Sequence, residues 1–122
     1  MDFYPTLLAA AGLKPMAGRP LDGEDIRPLL DQTGGLKRKE IFFHFPHFAW
    51  HKANRLAGAV REGDYKLVLN YDDDSVELYN LAKDLSETTN IVAQHKDRAE
   101  SMRRKLRAWL KETNAPMPTP RN

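Results

Sequence analysis

The sequence predicts an α+β fold, in which a small four-stranded antiparallel sheet is packed by a long C-terminal helix. Two observations carry this prediction. Between residues 40 and 80, β-favouring residues form short runs that are separated by turn-forming residues, a pattern typical of strands. From about Ile91 onward, apolar residues recur at the spacing of one helical face. A shorter helix near the N-terminus completes the predicted elements.

Four strands are predicted, at residues 40–45, 56–61, 65–71 and 76–80. The first is strongly aromatic and ends at Pro46, which cannot donate a ladder hydrogen bond. Short polar turns at residues 62–64 and 72–75 join the other three. Because strands joined by short turns pair with their neighbours, these three are expected to form an antiparallel meander.

The two predicted helices differ in what covers their apolar sides. Near the N-terminus, Asp2 is a suitable N-cap, Pro5 fits the first turn and Gly12 is a suitable C-cap. Leu7 and Leu8 give this helix an apolar side that no nearby segment covers. The C-terminal helix has an apolar stripe wide enough to pack on a sheet face. We expect it to dock through Met102, Leu106, Trp109 and Leu110.

Composition excludes several classes of protein. The 122 residues suffice for one average domain, and the absence of cysteine excludes disulfides, thiolate zinc sites and a cysteine nucleophile in this chain. The longest apolar run is only a few residues, too short to span a membrane, and the N-terminus does not resemble a signal peptide. A net charge of +2 is too even to indicate a nucleic-acid partner.

The densest group of residues capable of chemistry comes after the first predicted strand. It comprises His44, His47, Trp50 and His51. Imidazoles can bind metals or exchange protons near neutral pH, but Pro46 excludes a regular helical face, and no carboxylate in the segment could orient a ring. A metal site, a substrate-facing wall and an aromatic loop that only pins the strand end are the alternatives. We predict substrate binding for the four residues and no metal ligand.

Other charged or hydroxyl-bearing segments are better explained by structure. Residues 72–74 are three contiguous aspartates without the glycine of a calcium loop, so they indicate a solvated turn. The basic excess of residues 96–112 is expected to occupy the solvent side of an amphipathic helix. None of the three serines has the Gly-x-Ser-x-Gly context of a hydrolase nucleophile. The chain by itself therefore lacks a complete catalytic constellation.

Four segments resemble, in the same order, segments of the type I sulfatases, the arylsulfatase-like members of the alkaline-phosphatase superfamily. They are residues 2–12 (DFYPTLLAAAG), 21–30 (LDGEDIRPLL), 59–68 (AVREGDYKLV) and 77–91 (ELYNLAKDLSETTNI). Leu85 stands where these sulfatases usually have proline. The segments cover most of the chain and lie in the C-terminal part of that family.

The resemblance implies the C-terminal part of a sulfatase, a sulfuric ester hydrolase. Residues 1–38 would be the end of its large α/β domain with a connecting segment, residues 39–114 its C-terminal subdomain, and residues 115–122 an extended tail. The family's formylglycine nucleophile is made in a Cys/Ser-x-Pro-x-Arg motif, which this sequence lacks. Its calcium carboxylates and sulfate-binding Lys and His would precede Met1. No catalytic or metal residue is therefore assigned here, and calcium is implied only for the parent enzyme.

The resemblance also implies partners for this chain. The missing N-terminal catalytic domain would cover the N-terminal helix, and the parent would act on a sulfated small molecule or carbohydrate. In the absence of that domain, we expect this helix to be mobile or to bury its apolar side in a second copy of the chain through Phe3, Leu7 and Leu8. No nucleic acid and no membrane partner is expected. An exported or periplasmic location for the parent is an expectation that the residues leave open.

Two other functions stay open on the sequence. The chain could be a carbohydrate- or protein-binding module that uses the loop from His44 to His51, or the C-terminal part of a related phosphonate or phosphate monoester hydrolase. Binding of sulfated sugars by this chain alone would favour the module. The nucleophile motif of the parent would separate the two hydrolases.

Overall fold

The computed structural model of the chain describes residues 1–48 and 54–119. Two compact units are present, Met1–Lys39 and Glu40–Asn122, and each is described by itself. The functional division at residues 38 and 114 stays a prediction. Within the two described ranges, no helix is both long and apolar enough to cross a membrane.

The second unit is built on a four-stranded antiparallel sheet in the order β1-β2-β3-β4. The strands are β1 (Glu40–Phe45), β2 (Ala57–Glu62), β3 (Tyr65–Asn70) and β4 (Val76–Asn80). Each strand pairs with the next one along the chain. The predicted α+β class and the meander are therefore confirmed, and strand bounds differ from the prediction by one residue at most.

One face of the sheet carries the core. In one cross-strand row, Phe42 lies opposite Val60, which lies opposite Leu67 on β3. In the next row, His44 lies opposite Gly58, which lies opposite Leu69. Because side chains alternate between the two faces of a strand, these rows share the face that the C-terminal helix covers.

The C-terminal helix, α3 (Lys96–Glu112), packs on this face of the sheet. Its Met102 and Leu106 are fully buried and Leu110 is nearly so, while the ring of Trp109 stacks on that of Phe42 with centroids 5.0 Å apart. The predicted docking surface is therefore confirmed.

The start of α3 was expected near Ile91, and this is wrong, because the helix begins at Lys96. The intervening segment is held to β4 instead. The side-chain oxygen of Asn90 accepts hydrogen bonds from the backbone N–H groups of Leu78 and Val92. The N–H of Ile91 donates to the carbonyl of Leu78 at 2.9 Å. Backbone groups tied to a strand cannot at the same time enter a helical ladder.

None of the basic residues of α3 is buried, as predicted for the solvent side of the helix, and three of them also pair with acidic residues of the second unit. The ammonium of Lys105 lies 2.6 Å from a Glu40 carboxylate oxygen and 2.7 Å from one of Glu62. Arg103 and Arg107 both pair with Asp74 in the turn between β3 and β4. Residues 72–74 are all exposed, so the predicted solvated turn is confirmed, and Asp74 in it also pairs with α3.

The first unit contains α1 (Phe3–Ala10) and α2 (Arg27–Leu30). Asp2 stands at the N-cap of α1, but its side chain makes no capping bond, so that part of the prediction is wrong. Its carboxylate pairs with the Arg38 guanidinium, with both N···O distances 2.5 Å, and accepts the N–H of Glu24 at 3.1 Å. The hydrogen bond from Arg38 lowers the pKa of the Asp2 carboxyl to about 2.

Polar contacts rather than an apolar core hold the first unit together. Thr6 is its one buried residue. The Thr6 hydroxyl donates to the carbonyl of Asp2 at 2.7 Å and accepts the N–H of Ile26 at 3.0 Å. By contrast, Phe3 and Leu7 of α1 are 74% and 66% exposed. Apolar side chains of this unit therefore face outward.

Candidate functional site

The predicted site lies where β1 ends. His44 is the second-last residue of β1, and Pro46, His47 and Phe48 come after the strand as irregular chain. Trp50 and His51, the other two predicted site residues, lie outside the described residues. The geometry of the candidate site therefore rests on His44, on His47 and on what surrounds them.

The imidazole of His44 has protein partners at both ring nitrogens. Its Nε2 lies 2.9 Å from the carbonyl oxygen of Pro116, and its Nδ1 lies 2.7 Å from the hydroxyl of Tyr71. A carbonyl oxygen can only accept, so Nε2 must carry the proton that it donates. In the neutral ring, Nδ1 then accepts from the Tyr71 hydroxyl. Burial raises the pKa of Tyr71 to about 12, so this hydroxyl keeps its proton at neutral pH.

A glycine on the neighbouring strand makes room for this arrangement. A Cβ atom on Gly58 would lie 2.3 Å from the Tyr71 hydroxyl oxygen and 3.1 Å from the ring carbon that bears it. Both distances are shorter than van der Waals contact. Glycine inside a strand often marks a close approach of another group, and here that group is the phenol that reaches His44.

His47 is exposed, and its surroundings hold it at the backbone and at the ring. The side-chain amide of Asn54, just before β2, donates to the carbonyl of His47 at 3.1 Å. The ring of Phe45 meets the His47 ring edge to face, with centroids 6.2 Å apart. Neither of these two contacts uses a ring nitrogen of His47, and no other described residue hydrogen-bonds to its ring.

A pocket of about 220 Å³ separates this loop from the C-terminal segment. On one side lie Pro46, His47 and Phe48, and on the other lies the segment Pro116–Thr119. Phe48 is 66% and Met117 50% exposed, so the pocket offers apolar surface together with one imidazole and one hydroxyl. The described residues that line it are otherwise apolar or neutral.

A larger groove of the second unit lies elsewhere, at the start of α3. Its volume is about 870 Å³, and its lining includes Glu62, Lys96, Arg98 and Ser101. The guanidinium of Arg98 is already engaged, because it lies 4.1 Å from the centre of the Tyr65 ring. His95 also lines this wide, open groove, but among the described residues no hydrogen bond joins it to Ser101, so we assign the groove no role.

Metal binding was one interpretation of the histidine segment. In residues 1–48 and 54–119, no group of three or more His, Asp or Glu side chains is placed to hold a metal ion. The calcium implied for the parent therefore finds no ligand set in the described part of this chain. We assign it to no residue here.

Residues 1–115 match the family described as N-sulphoglucosamine sulphohydrolase, C-terminal. The chain belongs to that family. This confirms the sulfatase resemblance, and the fold of the second unit agrees with it.

Relatives of known name are also sulfatases. The chain is 39% identical, over an alignment of 131 positions that covers 95% of it, to a sulfatase of Formosa agariphila. It is 31% identical over 99 residues, 77% of its length, to an N-acetylglucosamine-6-O-sulfatase of Bacteroides thetaiotaomicron. It spans 23% and 17% of the lengths of these two relatives.

A solved structure resembles the chain with a TM-score of 0.74 and 26% identity, over 94% of this chain and 24% of the other. That protein was solved in complex with its substrate, D-glucosamine-2-N,6-O-disulfate. Because the chain spans less than a quarter of these proteins, their activity and substrates are a matter of proposal for it.

Sequence reasoning found the histidines but missed the residues that organise them. It predicts Tyr71 only as the last residue of a strand, and Pro116 and Met117 only as part of an extended tail. One signal was available, because Gly58 interrupts an otherwise apolar strand. No local pattern indicated that the tail returns to β1.

Proposed function

We propose that this chain is the C-terminal part of a sulfuric ester hydrolase and supplies structure and one wall of its substrate pocket. The observation that carries the proposal is the match of residues 1–115 to the C-terminal segment of the sulphoglucosamine sulphohydrolases. The sequence has no cysteine, and none of its three serines is followed by x-Pro. We therefore assign the chain no nucleophile and no catalytic residue of its own.

The proposed substrate class is a sulfated sugar. One relative is named for an N-acetylglucosamine sulfate ester, and one structural neighbour holds a glucosamine disulfate as its substrate. The loop after β1 has matching chemistry. The exposed imidazole of His47 can hydrogen-bond sugar hydroxyls, or attract a sulfate when protonated, and the Phe48 ring beside it offers an apolar platform.

Within this proposal, the four predicted residues take different parts. His47 makes contact with the substrate, and we propose the same for Trp50 and His51 farther along the loop. Because both ring nitrogens of His44 already have partners, its proposed part is to support the wall from behind.

The proposed partner of the chain is the N-terminal catalytic domain of the parent enzyme. Two apolar surfaces support this. In the first unit, Phe3, Leu7 and Leu30 are each at least 66% exposed. In the second unit, Phe43 and Phe45 are 54% and 46% exposed on the sheet face that α3 leaves uncovered. Exposed apolar groups of this kind mark surfaces that pack against another protein surface. An exported or periplasmic location and bound calcium are proposed for the parent only.

The proposal is tested by kinetics on the parent enzyme with two substrates. In the parent, His47→Ala should raise KM for 6-O-sulfated glucosamine roughly tenfold, the loss of one good contact. It should leave turnover of 4-nitrophenyl sulfate within about twofold, because a minimal aryl sulfate does not reach this wall. The isolated 122-residue chain should hydrolyse neither substrate, with or without calcium.

His95→Ala is the matched control, because this histidine precedes α3 and contacts Tyr65 rather than the loop. It should alter neither KM. Equal losses on both substrates for His47→Ala, or a lowered melting temperature with unchanged kinetics, would assign the loop to structure. Binding of the sulfated sugar by the chain alone would favour a carbohydrate-binding module, and turnover of phosphonate esters by the parent in place of sulfate esters would favour the related hydrolase.

A further inference from the structure

The C-terminal segment after α3 does not leave the domain but returns to the end of β1. Ala115 packs partly buried against the core, and its N–H donates to the carbonyl of Leu110 at 2.9 Å. One residue later, the carbonyl of Pro116 accepts the Nε2 proton of His44. Pro116 and Pro118 restrict the backbone of this part of the chain. A short, stiff segment fixed at its first residues therefore stands beside the histidine loop.

Contacts among Gly58, Tyr71, His44 and Pro116 fix the position of the C-terminal segment. The missing side chain at Gly58 admits the phenol of Tyr71, whose hydroxyl donates to Nδ1 of His44. The carbonyl of Pro116 can only accept, so it fixes the tautomer with the proton on Nε2, and Nδ1 of the same ring accepts from the Tyr71 hydroxyl. The network joins β2, the end of β3, β1 and the tail, which are far apart in sequence.

The pocket between the two segments has the character of a site for one ring. Its volume of about 220 Å³ is below the roughly 300–1,000 Å³ of pockets that enclose drug-sized ligands. Half-exposed Met117 faces it from the tail and exposed Phe48 from the loop. The polar atoms at its edge belong to His47 and Thr119. Apolar faces with polar groups at the edge match a pyranose ring.

We propose that Pro116–Thr119 form a second wall of the substrate pocket, contacting the sugar ring next to His47, and that His44 and Tyr71 are positioning residues that hold this wall. This proposal rests on the proposed function and deepens it. The tail then contributes to specificity for a saccharide, and the histidine that was predicted to touch the substrate acts through the tail.

The test uses the parent enzyme and compares 6-O-sulfated glucosamine with 4-nitrophenyl sulfate. Met117→Ala removes a wall side chain without touching the anchor, and its exposure means that folding is not at risk. His44→Phe removes the anchor and keeps a ring of similar size. Each should raise KM for the sugar roughly three- to tenfold and leave the aryl sulfate within about twofold. Leu85→Ala, which truncates an 81% exposed side chain that does not line the pocket, is the control and should change neither.

The double variant His44→Phe/Met117→Ala supplies a readout that a purely structural role would not move. If His44 acts through the tail, its effect and that of Met117 overlap, so the double variant should lose little more than the worse single variant. Unchanged KM for the sugar in Met117→Ala overturns the second wall. Multiplicative losses in the double variant overturn the positioning role of His44.

The two proposals fail in distinguishable ways. A parent enzyme that does not act on the sulfated sugar at all overturns the proposed function, and the second wall with it. A parent enzyme in which His47→Ala raises KM for the sugar, while Met117→Ala and His44→Phe do not, keeps the proposed function and overturns only the second wall.

Discussion

Replacing Gly58 by alanine should destabilise the second unit because of one specific oxygen atom. The new Cβ would lie 2.3 Å from the Tyr71 hydroxyl oxygen and 3.4 Å from Cδ2 of the buried Leu106. Non-bonded carbon and oxygen atoms rarely approach closer than about 3.3 Å, so the phenol would have to move by roughly 1 Å. That movement breaks its 2.7 Å hydrogen bond to His44.

Opposing effects set the change in the free energy of unfolding that Gly58→Ala should cause. Overpacking a core costs about 1–3 kcal/mol, and the net worth of one hydrogen bond is about 1 kcal/mol. The two overlap, since moving the phenol relieves the clash at the expense of the bond. Replacing glycine also stabilises by about 0.4–1 kcal/mol through the unfolded chain. We expect Gly58→Ala to lower the free energy of unfolding by about 1–3 kcal/mol.

The assay is urea unfolding, monitored by circular dichroism at 222 nm and by tryptophan fluorescence. Tyr71→Phe removes the clashing oxygen and leaves ring carbon Cζ, at 3.1 Å, as the nearest atom. In the Tyr71→Phe variant, the loss of unfolding free energy caused by Gly58→Ala should be at least about 1 kcal/mol smaller than in the unmodified chain. Gly35→Ala is the control, because a Cβ there meets nothing within 4 Å. Its free energy of unfolding should stay within about 0.5 kcal/mol of that of the unmodified chain. The same cost of Gly58→Ala in both backgrounds would refute this reasoning.

Three further predictions concern the core, the first unit and association. Leu106→Ala should cost roughly 2–5 kcal/mol, because this side chain is fully buried; in urea unfolding, a loss below about 1 kcal/mol, or one no larger than that of exposed Arg104→Ala, would mean that α3 is not docked as described. Folding lowers the pKa of Asp2 from 3.8 to about 2, so its stabilising contribution is complete above about pH 4 and is lost as the pH falls through about 2. Thermal unfolding from pH 5 to pH 2 should show this loss, and Asp2→Asn should abolish that part of it; an unchanged profile would contradict the role of the ion pair. Because Leu7 is 66% exposed, sedimentation of the isolated chain should show a concentration-dependent dimer that Leu7→Asp abolishes, and a monomer at all concentrations would argue against the dimer.

Local pattern was enough to predict most of the fold. Runs of β-favouring residues bounded by turn-forming residues and Pro46 placed β1 and β4 at their observed bounds, because β propensity and turn chemistry are local properties of the chain. The stripe that includes Met102 and Leu106 predicted the docking face of α3 for the same reason, since a helix must bury its apolar side. The start of α3 could not be read in this way, because contacts of Asn90 with β4 decide it.

Local pattern likewise predicted only part of the candidate site. Residue types and their density were enough to single out His44 and His47, and four ordered segments were enough to indicate the family. The sequence could not show that both nitrogens of His44 have partners, that the tail returns to β1 or that Asp74 pairs with α3. Those facts depend on which strand residues lie opposite one another and on where a distant segment comes back. Contacts between residues far apart in the chain are set by the register and packing of the whole sheet, and no local period records them.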